Sequence, residues 1–179
     1  MSDGVSAIDA LPSDEARARF LQCCGSRAWV EAMIAARPFA TRERLHSKAD
    51  VAWSALDGVA WLEAFAAHPR IGGAREVASK QGVERVWTTN EQAGAARASD
   101  DVKAAIAHEN EAYEARFGFL FLICATGKSA EDLLAACRAR QRNERDAELA
   151  IAAEEQRKIL HLRLDKLTDH LSHSEQRSP

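Results

Sequence analysis

Long apolar runs are missing from this 179-residue sequence. No stretch reaches the roughly 18 to 20 apolar residues that cross a bilayer, so a membrane helix is excluded and no membrane partner is expected. Charge of one sign is lacking too. Lys and Arg total 24 against 27 Asp and Glu, a formal net charge of −3, which provides no broad positive field for nucleic acid. The four cysteines (Cys23, Cys24, Cys124 and Cys137) include no CxxC pair, so reduced thiols are expected, not a disulfide framework. HxH and HExxH pairs are absent as well, and no metal site is expected. Neither a GxGxxG turn nor a P-loop is present. Met1 to Ala10 carries no basic start followed by an apolar core, and no Arg-rich transit pattern, so the expected location is cytoplasmic.

Strand formers are scarce, with a single Tyr and few Val, Ile and Thr, and only 4 Pro and 9 Gly interrupt the chain. Alanine, by contrast, is about one residue in five. That is a helical composition. The expected fold is all-α, a single compact domain of about seven or eight helices over 13–170, with an N-terminal extension over 1–12 and a disordered tail over 171–179.

Punctuation marks the helices. Ser13, followed by Asp14 and Glu15, is expected to cap a first helix running to about Cys24. Trp29, Val30, Met33 and Ile34 form a second stripe ending before Pro38. Thr41 opens a third helix carrying Leu45, Ala49, Ala52, Trp53 and Leu56, and Asp57-Gly58 separates it from a fourth with Val59, Leu62 and Phe65. Pro69 ends that helix at Ala67 or His68. A short helical turn near Glu76 to Lys80 and a segment capped by Thr88 or Thr89 are expected next. From Asp100 a long helix reaches Gly118. The run Phe119 to Cys124 is apolar on every side and must be buried. Ser129 and Asp132 have capping-box spacing before Leu133, Leu134 and Cys137. A last helix should start near Asn143 and run towards His170, fraying from Ser172.

Few residues invite chemistry. His68 stands at a Pro-locked helix exit beside Gly72-Gly73, where a fixed imidazole suits proton transfer; a solvated loop histidine is the plainer alternative. Thr88, Thr89, Asn90, Glu91 and Gln92 place a hydroxyl, amides and a carboxylate on one first turn, which serves either an anion or simply the helix cap. Arg138, Arg140, Arg142 and Arg145 alternate with Glu144, Asp146 and Glu148, the pattern of a solvated, ion-paired helix and not of a phosphate-binding face. Cys124 reads as a core residue.

Several fragments in one order resemble a single family: His68-Pro69-Arg70-Ile71-Gly72, Glu91-Gln92-Ala93-Gly94, then Asn110, Tyr113 and Arg116 through Ala125. Trp29 with Arg37-Pro38-Phe39 upstream, and Lys158-Ile159 with Leu162-Arg163-Leu164 downstream, extend the likeness over about Phe20 to Leu167. The family is that of the 2-oxo-4-hydroxy-4-carboxy-5-ureidoimidazoline (OHCU) decarboxylases of urate degradation. The resemblance implies a helical, homodimeric enzyme without a cofactor that converts OHCU to (S)-allantoin and carbon dioxide. It implies catalytic roles for His68 and Glu91. It also implies substrate contacts from Pro69, from Thr88, Thr89, Asn90, Glu91 and Gln92, from the backbone of Phe121, Leu122, Ile123, Cys124 and Ala125, and from Arg163. Thr88 stands where the family commonly has Ser, keeping the hydroxyl and adding a methyl. The alternative expectation is a catalytically silent interaction module that has kept the fold.

Overall fold

The computed structural model describes residues 4–71 and 99–175, and among these are eight α-helices and no strand. They are α1 (Gly4–Ala10), α2 (Ser13–Cys23), α3 (Arg27–Ala35), α4 (Arg42–Ser54), α5 (Gly58–Ala66), α6 (Asp100–Phe117), α7 (Ala130–Arg140) and α8 (Arg145–Glu175). Residue contacts gather the chain into two compact units. One comprises Met1–Ala64 with Arg157–Pro179, and the other Phe65–Gln156.

In the first unit, α2 packs on α3 and α3 on α4. Phe20 is fully buried, meeting the rings of Trp29 and Phe39 edge to face at 5.8 and 6.1 Å. Aromatic pairs in this geometry add about 1 kcal/mol to the area they bury. Ser26 caps α3 by accepting from the Trp29 amide, and Thr41 caps α4 by accepting from the Arg44 amide. Each satisfies one of the amides that a helix start leaves without an intrahelical acceptor. On the C-terminal half of α8, His161 meets His46 of α4 through their Nδ1 atoms. The outer nitrogens of this pair engage Asp165 at 2.9 Å and Asp50 at 2.6 Å. The carboxyl of Asp50 is pushed up by burial, but hydrogen bonds from His161 and Arg157 outweigh that and hold it below the ordinary range.

In the second unit, α6 starts at Ser99, whose hydroxyl accepts from the Val102 amide, and Asp100 and Asp101 occupy the positive first turn. It stops at Gly118, which adopts the left-handed conformation (φ 78°) common at helix ends. Ser129 and Asp132 close a reciprocal capping box on α7, as their spacing predicts. Phe65, Tyr113, Phe117, Phe119 and Phe121 form one buried aromatic cluster, with centroids 4.6 to 5.9 Å apart.

Several expectations need correction. The N-cap position of α2 is Pro12 and its side chain makes no capping bond, so Ser13 is already the first helical residue. The first residues contain a helix, α1, whose Val5 and Ile8 are buried. Asp9 near its end accepts from the amides of Phe39 and Ala40 at 2.9 Å. Gly4 is required there, since a Cβ on it would lie 1.9 Å from the Thr168 carbonyl oxygen. At the other end, α8 continues through Ser172 to Glu175. Leu171 is buried, which rewards continuing the helix beyond His170. Val59, counted on the apolar stripe of α5, is 76% exposed.

Candidate active site

The second unit contains most of the expected site that falls among the described residues. α5 ends at Ala66, and the His68 amide donates to the Phe65 carbonyl at 3.0 Å, closing the last turn where Pro69 forbids another. Pro69 is buried and Ile71 is 8% exposed. Two contacts from α6 pin this exit. Arg70 makes a forked ion pair to Glu114, at 2.8 and 3.1 Å, and the amide of buried Asn110 donates to the Ile71 carbonyl at 3.1 Å. His68 is thus held from before and after, with its Nε2 withdrawn from solvent.

Phe119 through Ala125 forms no helix or strand, and all of it except half-buried Leu120 is buried. Its polar backbone is gripped by charged side chains. Arg140 donates to the Leu122 carbonyl at 2.8 Å, Lys128 to the Cys124 carbonyl at 2.9 Å, and Glu155 accepts from the Cys124 amide at 2.7 Å. No described residue pairs with the N–H or C=O of Ile123.

Behind this wall lies a buried ionic network. Glu148 is 0% exposed; Tyr113 donates its hydroxyl to it, and Arg140 Nε and Asn143 Nδ2 each reach it at 2.7 Å. Burial, then the bond to Glu148, pushes the Tyr113 hydroxyl well above its ordinary range. Arg140 also lies 4.8 Å over the Phe121 ring, an attraction between cation and π-face. The expectation of a solvated basic face therefore fails at Arg140, whose side chain is 11% exposed. Arg138 does behave as expected, pairing with Glu109 at 2.8 Å on the surface.

Arg163 belongs to the first unit, where it is 4% exposed and donates weakly to the Gln22 carbonyl at 3.4 Å. Its charge draws the neighbouring Cys24 thiol down, but burial dominates and pushes that thiol up to about 12. Burial likewise raises Cys137 to about 11. Neither is a thiolate nucleophile at neutral pH. Thr88, Thr89, Asn90, Glu91 and Gln92 lie outside the described residues, as does the expected helical turn at Glu76 to Lys80. Among the described residues, no three His, Cys, Asp or Glu side chains converge as a metal site would require.

Three polar residues escaped the sequence reading. Glu148 looked like one more charge on a mixed helix, and nothing in the sequence singled out Glu155. Gln156 is wholly buried, with neither end of its amide paired among the described residues. In retrospect, the only signal was position. Gln156 sits four residues from Ala152 and Leu160 on the buried face of α8.

Comparison with known proteins first fixes the class. (S)-Allantoin synthase superposes with a TM-score of 0.66 over 91% of this chain and 53% of that one, at 20% identity, which is a likeness of fold. The structure of an OHCU decarboxylase determined in the presence of (S)-allantoin superposes with a TM-score of 0.71 at 33% identity, over 84% of this chain and 96% of that one. The uric acid degradation bifunctional protein TTL of Arabidopsis thaliana is 34% identical over 145 residues, 81% of this chain and 45% of the relative. The corresponding PucL protein of Bacillus subtilis is 30% identical over 138 residues, 76% of this chain and 27% of the relative. The chain thus spans less than half the length of these curated relatives. The OHCU decarboxylase family model matches residues 9–165, and the chain belongs to that family.

Proposed function

We propose that this protein decarboxylates OHCU to (S)-allantoin in urate degradation, with His68 and Glu91 as its catalytic pair and no cofactor. The observation that carries the reading is the family match across residues 9–165, which includes a histidine fixed at the α5 exit and a buried irregular wall at 121–125.

The substrate's chemistry suits these residues. The carboxylate leaves from the carbon that also bears the hydroxyl, next to the ureido-bearing carbon and its ring C=N. As carbon dioxide departs, the bonding pair forms a C=C bond and the C=N pair moves onto nitrogen, which takes a proton. The hydroxyl proton then leaves, a ring carbonyl forms, and the C=C pair takes a proton at the ureido-bearing carbon. That sequence consumes one proton overall and needs no external electron sink. His68 is the group proposed to accept the hydroxyl proton and return one to a single face of the ring, since imidazole titrates near neutrality. Glu91 would orient ring N–H groups and stabilise the charged imidazole. Thr88, Thr89, Asn90, Gln92, Pro69 and the backbone of Phe121 to Ala125 would line the pocket, and Arg163 would hold substrate oxygens with its planar fork. A water-poor wall strengthens each of these interactions.

A homodimer and a cytoplasmic location complete the proposal. The second is supported by four buried cysteines that form no disulfide. The test is an optical-rotation assay on freshly generated urate-oxidation products. Wild-type protein should accelerate the appearance of (S)-allantoin over the spontaneous background, and His68→Asn should abolish the acceleration while keeping the helical circular dichroism. An inactive wild type favours the silent-module alternative; a His68→Asn variant with more than a tenth of wild-type activity removes His68 from the centre.

A further inference from the structure

We propose that Arg140 and Glu155 are positioning residues that polarise the two peptide groups flanking Ile123, so that the Ile123 N–H and C=O form the donor–acceptor pair reading an amide or ureido edge of the ligand. The proposal rests on the decarboxylase reading, in which the 121–125 backbone touches substrate.

Amide resonance links the two ends of each peptide group. The Leu122 carbonyl and the Ile123 N–H belong to one planar peptide group, and the Ile123 carbonyl and the Cys124 N–H to the next. Arg140 donates to the Leu122 oxygen at 2.8 Å, drawing electron density towards that oxygen and making the Ile123 N–H a stronger donor. Glu155 accepts from the Cys124 N–H at 2.7 Å, pushing density the other way and making the Ile123 oxygen a stronger acceptor. Both charges thus act on one residue from opposite sides. Arg140 is held in place by its ion pair with Glu148 at 2.5 Å and by the Phe121 ring, so its charge stays on the peptide.

Ile123 is 8% exposed, and neither its N–H nor its C=O has a partner among the described residues. Buried backbone groups are nearly always paired, because leaving them bare costs about as much as a lost hydrogen bond. A ligand edge offering an N–H beside a C=O, as a ureido group or cyclic amide does, satisfies both at once. Since each charge acts on Ile123 through a peptide group, its removal should weaken binding and leave the proton-transfer step intact.

Glu155→Gln tests this, because the amide oxygen still accepts from Cys124 while the charge is gone. The expected result is a KM raised about fivefold to tenfold, the size of a lost charge assistance, with kcat within twofold and an unchanged melting temperature. Affinity for (S)-allantoin, read by calorimetry, should fall by the same factor. In 15N-labelled wild-type protein the Ile123 amide should shift on adding (S)-allantoin. The proposal is overturned if Glu155→Gln and Glu155→Ala both keep wild-type KM, if kcat falls with the melting temperature while KM holds, or if the Ile123 amide does not move. A wild type that neither turns over OHCU nor binds (S)-allantoin sinks the decarboxylase reading itself, a result separate from an active enzyme with unaltered variants.

Discussion

Removing the carboxylate of Glu148 is the sharpest perturbation of the second unit. In Glu148→Ala, Arg140 loses its counter-ion at a site where its side chain is 11% exposed. The hydroxyl of fully buried Tyr113 and the amide of Asn143 lose their acceptor too. Breaking a buried ion pair from one side costs about 3–5 kcal/mol, most of it the penalty of the charge left behind. Against a total stability of about 5–15 kcal/mol this is a large share, and it corresponds to a fall in melting temperature on the order of 10 °C for a chain of this size. Urea unfolding followed by circular dichroism reads it directly, with the wild-type m-value as the check that the transition still exposes the same surface. Two further variants apportion the loss. Glu148→Gln keeps acceptor oxygens and should lose less. The double variant Glu148→Leu/Arg140→Met removes both charges and should be more stable than Glu148→Ala alone, because no bare charge remains. A loss under about 1 kcal/mol for Glu148→Ala, or a double variant less stable than Glu148→Ala, would refute the view that this network is sealed from water.

Gln156→Leu should raise stability by about 1–2 kcal/mol, since both ends of the buried amide lack partners among the described residues; a lower urea midpoint counts against it. Ala40 sits at φ 66°, so Ala40→Gly should stabilise by about 0.5–1 kcal/mol, whereas Asp9→Ala should cost about 1–3 kcal/mol by freeing two amides. Both are read from the same urea curves. Above neutrality the sign follows from Cys24 and Cys137, raised from 9.0 to about 12 and about 11. The fold favours their neutral form, so this stability is complete below pH 9 and is lost above it as the unfolded chain ionises, by about 1.4 kcal/mol per thiol for each pH unit. Cys24→Ala/Cys137→Ala should flatten the decline between pH 9 and 11, and an unchanged slope would contradict it. Under the proposed function, Arg163→Ala should raise KM far more than it lowers kcat, and steady-state kinetics with equal KM would remove Arg163 from the substrate.

Helix placement was legible wherever local chemistry sets it. Thr41, Ser129 with Asp132, Gly118 and Pro69 act within one turn of themselves, and the helices begin or end where they stand. Burial of the Phe119–Cys124 run was equally legible, since so many apolar side chains find no cheaper place than a core. The larger failures depend on distant partners. Nothing local says that Asp9 will meet the amides of residues 39 and 40, so 1–12 read as an extension, with no sign of the packed helix α1. Arg138 and Arg140 are two residues apart on one helix, yet one pairs at the surface and the other is buried against Glu148.

The candidate site divides in the same way. The residue types and their order along the chain, with His68 at a forced helix exit, are enough to suggest proton transfer and to carry the family resemblance. They cannot show that Arg70 and Asn110 pin that exit to α6, nor that Arg140 and Glu155 grip the peptides on either side of Ile123. The caps at Thr41 and Ser129 and the stops at Pro69 and Gly118 depend on a residue and its near neighbours, so sequence alone determines them. Which charges are buried, and which backbone groups they engage, depends on side chains far apart in the sequence. Only the packing of α6, α7 and α8 decides that.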